Sequence, residues 1–244
     1  MRNLYRSCKL RFPPRALLRS HCVRASQCKH KKLEQEIIKY FRDKYNPEAI
    51  LLHGSRAVGK ERPHSDWDII MMFDNEIPRK GFRENIGSED VEWKAYLFPN
   101  MKESVIEVFG TYLQFAKVLW EKNMRANDLL RRAQVEYAEG PNLKVEEIER
   151  EKLFMQHKLL GMKDDVNTPD MFLRHLSVFF NRSSNLWFEV LHNQFPKPFY
   201  LAIPEIEEQD PDYFNQLDIL SSNADNGLKI KAAEDILKKL FKSN

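Results

Sequence analysis

The body of this chain contains no cysteine: all three, Cys8, Cys22 and Cys28, fall near the start. An odd count excludes a complete set of intramolecular disulfides, and the spacing fits no zinc template. A cysteine-free body suits a reducing compartment. Long apolar runs are also lacking. The richest stretch, residues 171–191, is interrupted by Arg174, His175, Asn181, Arg182 and Glu189, whereas a membrane helix needs roughly 20 apolar residues in succession. It reads as a buried helix. Internal repeats and low-complexity tracts are absent as well. Acidic residues are missing from one region: residues 1–33 hold ten Lys or Arg and no Asp or Glu. The remainder carries 29 basic against 36 acidic residues, a net charge of −7, although the whole chain is +3. Net positive charge is therefore confined to an arm. Such an arm fits a mitochondrial targeting segment, a nucleic-acid-binding tail or an unstructured leader. The acidic body argues against long nucleic acid as a partner, because backbone binding needs clustered cations. The expected location is the cytoplasm, with the mitochondrion as the alternative the arm offers, and no membrane partner is expected.

What is present divides into two halves. Leu33, Ile37, Ile38 and Phe41 recur at helical spacing over residues 32–44, and Asn46-Pro47 ends that helix. Short apolar runs at 49–53, 66–73 and 91–98 read as strands, separated by polar loops. Beyond Pro99 the pattern turns helical, with candidates over 102–123, 125–139, 145–164, 170–193, 204–220 and 228–242. Thr168-Pro169-Asp170 has the form of a helix start, with a hydroxyl at the cap, proline in the first turn and an acid near the positive dipole end. Phe172, Leu176, Phe179, Phe180, Trp187, Phe188 and Leu191 read as the core of a helical bundle. The expected organisation is a basic arm over 1–30, an α/β catalytic domain over 31–100 and an all-helical bundle over 101–244. The fold class is α+β, a small mixed-sheet domain followed by the bundle.

Chemistry is concentrated between residues 51 and 70. Asp66 and Asp68 are two apart in a strand, so both side chains leave one face while Trp67 and Ile69 leave the other. Two carboxylates placed so close repel unless a positive charge lies between them. Oxygen-only ligands favour a hard cation such as magnesium, which keeps waters and substrate phosphates in its shell. Twelve residues before Asp66 stands Gly54-Ser55, at the end of an apolar strand. Glycine there lets the backbone approach a ligand closely, and the turn that follows offers free N–H groups to an anion. Arg56 and Lys60 come next, as phosphate contacts or as solvated charges. Val91-Glu92-Trp93 places a further acid between apolar residues, and Asp90 lies on the same strand face.

The pattern apolar–Gly54-Ser55, a gap, then Asp66-Trp67-Asp68-Ile69 resembles the signature of the DNA polymerase beta-like nucleotidyltransferase superfamily. The local forms Gly54-Ser55-Arg56-Ala57-X-Gly59 and Ser65-Asp66-Trp67-Asp68 look like its small minimal and kanamycin-nucleotidyltransferase-like members. The resemblance implies a Mg-dependent nucleotidyltransferase that moves a nucleoside monophosphate from a nucleoside triphosphate, with ATP the first candidate, to an acceptor hydroxyl and releases pyrophosphate. By that resemblance Gly54, Ser55 and Arg56 bind the nucleotide, and Asp66 and Asp68 bind two Mg2+ ions. Asp66, Asp68 and a third carboxylate, Glu92 or else Asp90, form the catalytic set. The acceptor would be a small molecule or a protein side chain. The alternative is a non-catalytic nucleotide-binding or partner-binding module, antitoxin-like, in which the helical half docks a helical protein or a second copy in a homodimer.

Overall fold

The computed structural model describes residues 31–78, 81–100 and 102–242. The basic arm and its cysteines lie outside them. Helix α1 spans residues 31–45. Strand β1 (Ala49–His53) runs into the single turn α2 (Gly54–Ala57), then β2 (Trp67–Phe73), β3 (Gly81–Ile86) and β4 (Glu89–Leu97) follow. Next come α3 (Val105–Phe109), strand β5 (Lys117–Glu121) and α4 (Arg125–Glu139). The bundle consists of α5 (Val145–Asp164), α6 (Pro169–Leu186) with a π-helical turn over Trp187–Leu191, α7 (Phe199–Gln209), α8 (Pro211–Ser221) and α9 (Asn226–Leu240). The fold is α+β, a mixed five-stranded sheet in the order β3-β4-β2-β1-β5 followed by a helical region. Among the described residues no helix is long and apolar enough to cross a membrane.

The sheet sorts its side chains by the period of two. Ile50, Leu52, Trp67, Ile69, Met71, Val91 and Trp93 form one core with Ile37, Ile38 and Phe41 of α1. Ala49, Leu51, Ile70 and Met72 form another on the opposite face, beneath Val105 and Phe109 of α3 and Ala126, Leu129 and Ala133 of α4. Asp66, Asp68 and Glu92 belong to that second face, beyond the end of its apolar row. A third core, built on Met155, Phe172, Phe179, Trp187, Phe188 and Tyr213, holds the bundle.

Three expectations require correction. The segment expected as a helix over 102–123 folds as α3, a series of turns and β5, and β5 pairs antiparallel with β1. The sheet and its second core thus continue past residue 100 to Tyr137, because β1 would otherwise present an open edge. The loop expected between the second and third strands contains β3, paired antiparallel with β4. The helix expected over 204–220 is two: Asp210 ends α7, and its side chain accepts from the Tyr213 N–H to cap α8. Pro169 stands in the first turn of α6 as expected, although the Thr168 side chain makes no capping bond.

Candidate active site

The Gly54 turn and the carboxylates meet because of register. β1 and β2 are antiparallel with His53 opposite Asp68, and β2 and β4 are parallel with Asp68 opposite Glu92. Gly54 has φ +72°, and a Cβ built on it would collide with Oδ2 of Asp68. Glycine is required here twice over: for the left-handed backbone and for the room the carboxylate takes. Asp68 is pushed up to about 6 by burial first, then by the charges of Asp66 and Glu92, against the pull of Lys94 and Arg83. His53 is pulled down to about 4 by burial and by Lys94, so it is a neutral imidazole at physiological pH, its ring 5.3 Å from that of Tyr112.

Arg83 of β3 is the cation among these acids. Its Nη2 lies 3.2 Å from Oδ2 of Asp66 and 3.1 Å from Oε2 of Glu92, and its Nη1 lies 3.2 Å from Oδ2 of Asp90. Arg83 is not among the expected site residues, because β3 lies where a polar loop is expected. Its place follows from the β3–β4 ladder, where Arg83 stands opposite Glu92. In this arrangement no three of the described His, Asp or Glu side chains converge closely enough to hold a metal ion. The donor types nonetheless suit a hard divalent cation: Asp66, Asp68 and Glu92 put three carboxylates on one face, and the single guanidinium of Arg83 offsets only part of their charge. Asp66 and Asp68 are the residues that would hold it, with Glu92 beside them and Asp90 on the other nitrogen of Arg83.

Arg56, expected at the nucleotide, bonds to the loop before β2 and to Glu89. Its Nε donates to the Asp66 carbonyl at 2.9 Å and to that of Ser65 at 3.2 Å, and its Nη2 donates to Ser65 and to Glu89. Only 8% of the side chain is exposed, and the guanidinium stacks 4.8 Å from the Trp67 ring. These contacts pin the loop that carries Asp66. Lys94 rests 4.1 Å over the Tyr112 ring while Arg83 takes Glu92.

Above the turn lies a cavity of about 680 Å³ between the two halves. One wall carries His53, Gly54, Ser55 and Asp68 with the cations Lys60 and Arg62; Tyr112 and Phe115 extend it. The other wall is the segment from Pro196 to Tyr200, joined by Asn185. Nothing in the local sequence ties residues 196–200 to Gly54, so this wall had no legible signal. The cavity is of the size and mixed lining typical of small-ligand sites.

Residues 35–110 match the family model described as polymerase beta, nucleotidyltransferase. Over this segment the chain is similar to polymerase beta-like nucleotidyltransferases. The match spans α1 through α3 and includes the Gly54 turn and every candidate carboxylate. None of the curated proteins matches the chain. Among solved structures, a nucleotidyltransferase-like protein from Exiguobacterium sibiricum is similar at 10% identity and a TM-score of 0.46, over 84% of this chain and 74% of that one.

Proposed function

We propose that the chain is a Mg-dependent enzyme that transfers a nucleoside monophosphate from a nucleoside triphosphate to an acceptor hydroxyl, with release of pyrophosphate. The observation that carries this reading is the close fit of Gly54 against Asp68, with Asp66 and Glu92 on the same sheet face and the cavity above. The Gly54-Ser55 turn, Lys60 and Arg62 would take the phosphates, while Asp66 and Asp68 would hold magnesium. Magnesium, when bound with the triphosphate, supplies charge neutralisation at the attacking and leaving oxygens. Glu92, in register with Asp68, would orient the acceptor hydroxyl for in-line attack on the α-phosphorus. Most of the catalysis in such chemistry is positioning and electrostatics. ATP is the first triphosphate to try. The cavity favours a small-molecule acceptor or a protein side chain over long nucleic acid.

The second reading, nucleotide binding without transfer, draws on Arg83, which already pairs with three carboxylates. One experiment separates them. Titration of ATP with and without magnesium, followed by pyrophosphate release across an acceptor panel, is run on the wild type, Asp66→Asn and Asp68→Asn. An enzyme shows magnesium-dependent binding and release that both variants abolish while remaining folded. Turnover at a near-normal rate in either variant refutes the assignment. Binding with no release on any acceptor favours the second reading.

A further inference from the structure

We propose that Tyr200, contributed by the helical half, is a nucleotide-contacting residue whose hydroxyl donates a hydrogen bond to a phosphate oxygen of the triphosphate lying over the Gly54-Ser55 turn. The inference rests on the nucleotide-binding reading above. Tyr200 stands in the first turn of α7 and lines the cavity across from Gly54, Ser55 and Asp68. Its hydroxyl is buried and has no hydrogen-bond partner among the described residues. Leaving such a group unpaired is costly, and each one in a native fold calls for an explanation such as a bound ligand or water.

The chemistry of the missing partner follows from the surroundings. Burial, and then the charge of Asp68, push the Tyr200 phenol above its ordinary value. It therefore stays protonated, a donor in want of an acceptor. The rest of the cavity decides which acceptor. Lys60 and Arg62 face it from the wall that holds Ser55, and this concentration of positive charge favours an anionic oxygen. Lys197 is not a competitor, because Glu205 already holds its Nζ at 2.5 and 2.6 Å. Hydrogen bonds from neutral donors to charged acceptors are stronger than neutral pairs, so a phosphate oxygen satisfies Tyr200 better than a water does.

The test is titration of magnesium ATP and of magnesium tripolyphosphate into the full chain, wild type and Tyr200→Phe, with thermal unfolding of each free protein alongside. The expected result is a fall in affinity of about fivefold to tenfold for both ligands. The melting temperature without ligand should be unchanged or raised, since the deleted hydroxyl had no partner. Unchanged affinity for both ligands overturns the proposal, the more so with a lowered melting temperature, which would reveal an internal partner. A loss confined to ATP also overturns it, by putting the hydroxyl on the nucleoside. If the wild type binds neither ligand, the nucleotide reading itself fails, an outcome distinct from equal binding by wild type and variant.

Discussion

Asp68 is held where a carboxylate is least stable without a counter-charge: half-buried, in register with Glu92 and two residues from Asp66. Its folded-state pKa of about 6 lies above the ordinary 3.8, so the fold disfavours the ionised form and gains stability as pH falls from 6 toward 4. Asp68→Asn should therefore raise stability at pH 7.5 in the absence of magnesium, by about 1 kcal/mol after solvent screening is allowed for. The same variant should lose magnesium-dependent ATP binding. Urea unfolding gives the sign, and a midpoint below that of the wild type would show that Asp68 contributes to the fold rather than to a site. Much of this was legible, because Gly54, Asp66, Asp68 and Glu92 are fixed by spacing within strands. Arg56 was legible as a cation but not in its role, which depends on the Ser65 and Asp66 carbonyls that the loop turns toward it. Tyr200 lies outside any pattern, since only the tertiary fold brings it to Asp68.

Among the elements, the two strands that pattern reading missed are the two edges, β3 and β5. A central strand buries side chains on both faces and shows an apolar run, as β2 does with six of seven residues buried. An edge strand buries few: β3 buries only Ile86, and β5 buries none fully. What β3 lacks in apolar burial it makes up with Glu84, whose carboxylate accepts hydrogen bonds from Tyr40, Tyr45 at 2.6 Å, Lys44 at 2.8 Å and the Trp93 indole at 3.2 Å. Burial alone would raise the pKa of Glu84, but the bonds from Lys44, Tyr40 and Tyr45 outweigh it and bring the carboxyl down to about 2. The folded value lies below the unfolded one, so this stabilisation is complete above about 4.5 and is lost as pH falls toward 2. Glu84→Gln should lower stability at pH 7 by on the order of 1–3 kcal/mol. It should also flatten the loss of stability that the wild type shows between pH 4.5 and 2. Denaturant midpoints across that range check both claims, and an equally steep acid loss in the variant would mean that other carboxylates dominate it.

At the scale of the molecule, the cavity is assembled by a joint that touches neither the carboxylates nor the ligand. At the end of α4, Gly140 has φ +75°, and a Cβ there would collide with the Asn193 carbonyl. Asn142 and Asn193 both adopt positive φ, 46° and 49°, a conformation asparagine tolerates better than most residues. They interlock: the Asn142 N–H donates to Oδ1 of Asn193 at 2.9 Å, and Nδ2 of Asn193 donates to Oδ1 of Asn142 at 3.0 Å and to the Glu139 carbonyl at 3.2 Å. Two residues on, Phe195 packs edge-on to Tyr137 of α4, ring centroids 5.7 Å apart, and the next residue begins the wall that faces Gly54. The joint thus fixes how the helical half presents residues 196–200 to the Gly54 turn. Asn193→Gly keeps the backbone conformation available while removing the side-chain bonds, so it isolates their contribution. Its expected cost is about 1–2 kcal/mol of stability. Magnesium ATP binding should weaken by about threefold to tenfold, although Asn193 does not line the cavity. Calorimetric titration beside denaturant unfolding measures the two together. A loss of stability with unchanged affinity would show that the wall holds its place without the joint, and that nucleotide binding depends on the sheet face alone.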